Sequence, residues 1–215
     1  MAANESAPAH SPEHSLLGRE AAYPRQFDPA LLYPIPRALG RESLGLAEAA
    51  LAFTGIDRWH AYELSWLDAR GKPRVALAEF RIPVGSPNII ESKSFKLYLN
   101  SYMQTRVADT DALRVQLAAD LSTAAGAPVS VVLATPTSKQ ASLIENLDGE
   151  VIDDLPIEIS HYGPPRPDFL HVNPDAVVEE SLVTHLFKSN CPVTGQPDWA
   201  SMQIHYVGPR LGRDG

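Results

Sequence analysis

The side chains best suited to covalent chemistry lie near the end of the chain. Cys191 is the only cysteine among 215 residues, and Asp198 follows it seven positions later, across Pro192-Val193-Thr194-Gly195-Gln196-Pro197. Proline and glycine at this density make a turn, and such a turn can bring a thiol and a carboxyl group face to face. A thiolate attacks an electrophilic carbon. A carboxyl group beside it can donate or collect the proton, provided its surroundings keep a protonated fraction near neutral pH. Each residue also has a commoner role: a lone cysteine is most often a small buried apolar residue, and Gln196-Pro197-Asp198 is ordinary turn chemistry. The setting between Lys188-Ser189-Asn190 and Pro192 favours an accessible thiol, and Lys188 favours the thiolate if the two side chains meet.

A second group sits at Glu91-Ser92-Lys93-Ser94-Phe95-Lys96. Ser92 is placed to cap a helix, and Glu91 gains there from the helix dipole, so capping alone accounts for both. The same placement suits recognition. Free amides at a helix start hold an anionic group, and a fixed carboxylate accepts paired N–H donors from a guanine-like ring. Lys93 and Lys96 are by default solvated helix residues, although a lysine in a first helical turn can reach a phosphate. The histidines, His10, His14, His60, His161, His171, His185 and His205, show no metal-ligand spacing, and no metal site is expected. There is no Gly-x-Gly-x-x-Gly or Gly-x-x-x-x-Gly-Lys loop, so a nucleotide would not be held on a Rossmann or P-loop frame.

The elements that must position these residues read as α+β. Residues 1–26, with Pro8, Pro12 and Pro24 and no apolar period, are expected to form a mobile arm. Tyr62, Leu64 and Trp66 alternate with Glu63 and Ser65 as a half-buried strand does within 59–67. The turn at Asp68-Ala69-Arg70-Gly71-Lys72-Pro73 then leads into a return strand over 75–82. Phe95, Tyr98, Leu99, Tyr102 and Met103 recur at helical spacing, and a second helix runs from Asp109–Asp111 over Leu113, Leu117 and Leu121 to a stop at Gly126. Short strands at 129–133 and 151–159 complete a strand-strand-helix-helix-strand-strand unit. A further hairpin follows, with 182–187 as one arm and Met202, Ile204 and Tyr206 on the other. Its apolar face needs cover from the first unit, a partner or other residues, because two strands cannot bury a face alone.

Composition narrows the class. A hydrophobic content of 44% allows a real core, and a net charge of −8 with a pI near 5.3 and no dense Lys/Arg cluster argues against direct nucleic-acid binding. A single cysteine excludes an internal disulfide. No secretory pattern opens the chain and no apolar run approaches the roughly 18 residues of a membrane span, so a cytoplasmic protein without membrane contact is expected.

Three segments together carry a family resemblance: Tyr62-Glu63-Leu64-Ser65-Trp66-Leu67, Ile90 through Ser101, and Ser189-Asn190-Cys191 through Gln196-Pro197-Asp198-Trp199. From about Phe27 to Tyr206 the chain resembles the NADPH-dependent 7-cyano-7-deazaguanine reductases, the nitrile reductases of tRNA queuosine biosynthesis, in their long two-module form. The resemblance implies a tunnelling fold of the GTP cyclohydrolase I superfamily, antiparallel sheets each backed by a helix pair, and a homodimer. It implies a first module over 27–165 and, over 166–215, the N-terminal part of a second module. The family's later helix, whose Phe-His-Glu segment supplies a histidine and a glutamate to the substrate, has no counterpart before Gly215. By the same resemblance Cys191 is the nucleophile that forms a covalent thioimide and Asp198 the proton donor. Ile90, Glu91 and Ser92 hold the deazaguanine ring, Ser92 and Lys93 contact NADPH, and two hydride transfers yield the aminomethyl product.

Two other readings share these residues. A truncated, catalytically deficient purine-binding or scaffold module would keep the helix start but need a partner to complete its fold. A thiol hydrolase would form the same adduct and release ammonia without consuming NADPH.

Overall fold

The computed structural model describes residues 11, 14–15, 26–42, 44–46, 51–135, 146–159, 161–163, 166–191, 195 and 197–213. The chain divides into two compact units, Met1–Leu143 and Ile144–Gly215. Most of the arm expected over 1–26 lies outside the described residues. Of those described, Ser11 and Ser15 are buried, and the Tyr33 hydroxyl donates to the Ser11 carbonyl at 3.3 Å.

The first unit contains β1 (Pro34–Pro36), α1 (Arg37–Glu42), β2 (Ile56–Leu67), β3 (Pro73–Pro83), β4 (Asn88–Ile90), α2 (Ser92–Ser101), α3 (Thr110–Ala125) and β5 (Ser130–Ala134). β2, β3 and β5 form an antiparallel sheet with β3 in the centre, and β1 pairs antiparallel with β4. The β2–β3 hairpin is closed by Asp68, whose Oδ1 accepts from the Arg70 and Lys72 amides at 2.9 and 3.0 Å. Gly71 takes the left-handed conformation this turn requires, with φ 83°.

The inward alternation expected for Tyr62, Leu64 and Trp66 holds only in part. Leu64 and Trp66 are buried, but Tyr62 is exposed. Ala61 pairs with Ala78 and Leu64 with Ala76, so β2 spends three residues where β3 spends two. One extra residue in a strand reverses its facing. Trp59 and Ala61 point to the core before this bulge, and Leu64 and Trp66 after it.

α3 behaves as its pattern requires. Asp109 caps it by accepting from the Ala112 amide at 2.8 Å, and Gly126 ends it at φ 71°. Leu113, Leu117, Leu121 and Ala125, four residues apart, form one fully buried stripe. They pack with Phe80, Ile82, Ile90, Phe95, Tyr98 and Val131 in the core between the sheet and the helix pair. Complete burial of each leucine contributes about 2 kcal/mol. The helices are also joined by polar contacts: the buried Tyr98 hydroxyl donates to Asp120 Oδ2 at 2.7 Å and meets the Tyr102 hydroxyl at 3.1 Å.

The strand expected over 151–159 is not found. β6 is Glu150–Val151 alone, and it pairs in parallel with the second unit rather than extending the first sheet. Asp153 stops it. Its carboxylate accepts from Thr184 Oγ1 at 2.6 Å and from the His185 amide at 3.0 Å, turning the chain away, and Pro156 has no amide to offer a ladder.

The second unit is a ribbon of β7 (Val172–Asn190) and β8 (Pro197–Leu211), antiparallel and longer at both ends than the hairpin expected from the sequence. Leu182 and Val183 are buried beside β6, whereas Val177, Trp199 and Val207 are exposed. The class is α+β with antiparallel sheets, β6–β7 being the parallel exception. Among the described residues no helix is long and apolar enough to cross a membrane.

Candidate functional site

In the first unit the candidate residues lie where β4 becomes α2. The Ile90 side chain belongs to the core, with 1% exposure. Its main chain is placed differently. The Glu91 amide donates to the Tyr33 carbonyl at 2.9 Å, which makes Tyr33/Glu91 the bonded pair and Pro34/Ile90 the non-bonded one. The Ile90 N–H and C=O therefore point away from β1.

Glu91, not Ser92, is the N-cap. Its carboxylate accepts from the Lys93 amide through Oε1 and the Ser94 amide through Oε2, each at 2.7 Å. The ladder bond to Tyr33 fixes residue 91 as the last extended position, so Ser92 becomes the first helical residue. Glu91 is buried at 4% exposure, Ser92 is exposed and Lys93 half-buried. The junction thus places a fixed acceptor carboxylate, suited to the N–H groups of an amide-bearing ring, next to a hydroxyl and an ammonium group, donors suited to a phosphate.

In the second unit the candidate residues lie at the turn end of the ribbon. Ser189 faces Asp198 directly and Asn190 faces Pro197. Cys191 follows Ser189 by two residues, the interval at which a strand returns to one face. Cys191 is half-buried, Asp198 is exposed, and the Cys191 carbonyl accepts from the Gly195 amide at 2.9 Å. Gly195 has φ 71°, which lets the chain reverse in so few residues. Residues 192–194 and 196 lie outside the described residues. Lys188, which favours the thiolate only if the two side chains meet, stands opposite Trp199 with its ammonium nitrogen 5.6 Å from the ring centroid.

Each group is assembled within its own unit: Ile90, Glu91, Ser92 and Lys93 in the first, Cys191 and Asp198 in the second. Among the described residues no group of three His, Cys, Asp or Glu side chains could hold a metal. A cleft of about 810 Å³ between the β2–β3 turn and the start of α3, lined by Trp66, Arg70, Lys72 and Asp109 among others, includes none of the candidate residues.

Sequence reasoning missed one buried cluster. Glu79, on the sheet face opposite the helices, is 3% exposed. Its carboxylate is bonded to Arg81, lies 3.3 Å from His60 Nε2 and 3.8 Å from Arg58 Nε. Burial pushes its pKa up, but the Arg81 hydrogen bond and the Arg58 charge outweigh this and hold it below the usual carboxylate range. The signal available was the alternation of Arg58 with His60 and of Glu79 with Arg81, two residues apart on strands that pair.

A family model described as nitrile reductase, 7-cyano-7-deazaguanine reductase, N-terminal part, matches residues 23–133. The chain belongs to the 7-cyano-7-deazaguanine reductase family. A Stenotrophomonas maltophilia strain K279a protein named NADPH-dependent 7-cyano-7-deazaguanine reductase is 56% identical over 206 residues, covering 96% of this chain and 74% of the relative. Proteins of the same name from Chromobacterium violaceum and from Bordetella pertussis strain Tohama I are 54% and 58% identical, covering 96% and 92% of this chain and 74% and 71% of their own lengths. The family match contains the β4–α2 junction. With 206 of 215 residues aligned to the Stenotrophomonas reductase, the shared span also takes in Cys191 and Asp198.

Proposed function

We propose that this chain is an NADPH-dependent reductase that converts the nitrile of 7-cyano-7-deazaguanine to an aminomethyl group in tRNA queuosine biosynthesis, through a covalent thioimide on Cys191. The observation that carries the reading is 54–58% identity, over more than nine-tenths of the chain, to proteins bearing the reductase name. The ribbon end is consistent with it: a half-buried thiol and an exposed carboxylate are set on opposite strands of one turn.

In this reading the Glu91 carboxylate accepts N–H bonds from the deazaguanine ring, and the outward main chain of Ile90 and the Ser92 hydroxyl complete its recognition. Cys191 Sγ adds to the nitrile carbon while the nitrile nitrogen takes a proton, and Asp198 is the group that delivers it. The product of that step is a thioimide, whose carbon accepts hydride more readily than a nitrile carbon. Ser92 and Lys93, a hydroxyl and a cation at a helix start, fit a phosphate-bearing cofactor. NADPH, when bound, supplies hydride, and two are required because nitrile to amine is a four-electron reduction. Breaking the C–S bond returns the Cys191 thiolate, and Asp198 provides a route for the protons that balance each hydride. A homodimer, a second tunnelling-fold module begun by the ribbon and a cytoplasmic location belong to the same proposal.

The test is intact mass spectrometry of the chain after exposure to 7-cyano-7-deazaguanine without NADPH. The expected result is a mass gain equal to the whole substrate, since addition expels nothing, and no gain in Cys191→Ala. With NADPH present, cofactor oxidation and the aminomethyl product should both depend on Cys191. An adduct that survives Cys191→Ala would remove the nucleophile from this scheme, and ammonia release without NADPH oxidation would make the chain a hydrolase.

A further inference from the structure

Resting on the reading of Glu91 as the ring-binding carboxylate, we infer that Ser94 is its positioning residue: the Ser94 hydroxyl replaces a ladder bond that β1 and β4 cannot make, and so locks Glu91 into two elements at once.

β1 and β4 are antiparallel, and the bonded pair next to Pro34/Ile90 is Tyr33/Glu91. A bonded antiparallel pair exchanges two hydrogen bonds. One is present, from the Glu91 amide to the Tyr33 carbonyl at 2.9 Å. The second would run from the Tyr33 amide to the Glu91 carbonyl, but both acceptor sites of that carbonyl are taken within α2, by the Phe95 amide at 2.9 Å and the Ser94 hydroxyl at 2.7 Å. Ser94 bridges the difference. Its hydroxyl accepts from the Tyr33 amide at 3.0 Å and donates to the Glu91 carbonyl at 2.7 Å, while its own amide donates to Glu91 Oε2 at 2.7 Å. Tyr33, Glu91 and Ser94 close a ring of hydrogen bonds, and Ser94 is 1% exposed. Residue 91 is thereby the last rung of a strand pair and the cap of a helix: its main chain is tied to both elements, and its carboxylate is held by the α2 amides.

The same helix carries an internal comparison. Ser101, seven residues on, also donates to a carbonyl of its own helix, Tyr98 O at 2.6 Å, and also accepts from the N-terminal segment, the Asp28 amide at 3.4 Å. It makes the same kind of bond between the same two pieces of chain and touches nothing of Glu91. A purely structural strap would make the two serines equivalent. A positioning role makes them differ.

The experiment titrates the full chain in a Cys191→Ala background, which isolates recognition from covalent addition, with 7-cyano-7-deazaguanine as the ligand. Ser94→Ala is expected to weaken binding about tenfold, the upper end of what one hydrogen bond between neutral groups is worth, while Ser101→Ala leaves the Kd within about twofold at a similar loss of stability. In a Glu91→Gln background, which should itself weaken binding, Ser94→Ala is expected to add little, because its effect passes through Glu91. Ser94→Cys, close in size and a poor hydrogen-bonding group, provides the folded variant should Ser94→Ala not fold. Equal effects at Ser94 and Ser101, or an undiminished Ser94 effect without Glu91, would overturn the inference while leaving Glu91 as the ring partner. An unchanged Kd in Glu91→Gln would overturn the reading of Glu91 and the inference with it.

Discussion

Removing the Tyr98 hydroxyl tests how the helix that presents Glu91 is tied to its neighbour. Tyr98 is fully buried on α2, and its hydroxyl donates to Asp120 on α3 at 2.7 Å and meets Tyr102 at 3.1 Å. Tyr98→Phe keeps the ring, including its edge contact with Phe27 at 6.1 Å between centroids, and deletes only those bonds. A hydrogen bond to a charged group is worth about 1.5–3 kcal/mol. Asp120 keeps Gln116 as a donor at 2.9 Å and is partly open to water, so the lower part of that range applies, about 2 kcal/mol. Tyr102→Phe loses a longer bond between neutral groups and should cost about 1 kcal/mol. An alkaline arm separates this from generic packing. Burial first, then the bonds to Tyr102 and Asp120, raise the Tyr98 pKa far above its usual 10, and burial pushes Tyr102 up to about 12. Both phenols hold their protons more tightly folded than unfolded. Their contribution is complete below about pH 10 and declines above it, with a slope of up to about 1.4 kcal/mol per pH unit for each ionising tyrosine. The assay is denaturant unfolding followed by helical circular dichroism, since α2 and α3 lie in the first unit. Tyr98→Phe should lower stability by about 2 kcal/mol at pH 7 and flatten the decline above pH 10. A cost under about 0.5 kcal/mol, or an unchanged alkaline slope, would refute the reasoning.

Two further outcomes follow from the same unit. Leu117→Ala, in the middle of the α3 stripe and fully buried, should cost about 3–4 kcal/mol through lost burial and the cavity left behind, whereas Val115→Ala on the exposed side should stay within about 0.5 kcal/mol; equal shifts of the two unfolding midpoints would contradict the packing described. Glu79→Gln should lower stability by about 1–2 kcal/mol at pH 7 by leaving Arg58 and Arg81 without their shared anion. Because the Glu79 pKa is held down, its contribution is present above the ordinary carboxylate value of 4.5 and lost as pH falls through the folded value, so Gln should flatten the acid limb of the stability profile. An acid limb of the same slope in the variant would count against the cluster.

What could be read from sequence was what local chemistry decides. α3 was legible at both ends because Asp109 and Gly126 satisfy helix termini through neighbours three and four residues away. The turn after Cys191 was legible for the same reason, in Pro192, Gly195 and Pro197 within six residues. The failures have long-range causes. Nothing in Ala61-Tyr62-Glu63-Leu64 marks a bulge; the extra residue shows only against β3, and it turns Tyr62 outward. The strand expected at 151–159 shrank to two residues because Asp153 found partners at Thr184 and His185, 31 and 32 positions away. Ser92 is the better cap by propensity, and Glu91 took the position because Tyr33, 58 residues earlier, holds it in a strand. The Glu79 cluster needs the pairing register of β2 and β3 before its four members can be seen together.

Capping and the proposed ring recognition look like competing uses for Glu91, yet in that proposal the first prepares the second. A carboxylate has two oxygens with two acceptor sites each. α2 takes one site on each oxygen, through the Lys93 and Ser94 amides, which leaves one acceptor site on each. A free glutamate side chain would have to give up its rotamer freedom to accept two parallel N–H bonds from a flat ring. At Glu91 that freedom is already gone, lost when the helix folds. The burial that would normally penalise the charge is offset by two amides at 2.7 Å and by the positive end of α2. Under the proposed function, a ring offering paired N–H donors would meet an acceptor that is already oriented. Whichever way its amide is turned, glutamine puts NH2 in place of one of the two oxygens, so it accepts from at most one of the two helix amides and has fewer acceptor sites left for a ring. The cost to folding and the cost to binding should thus appear together in Glu91→Gln.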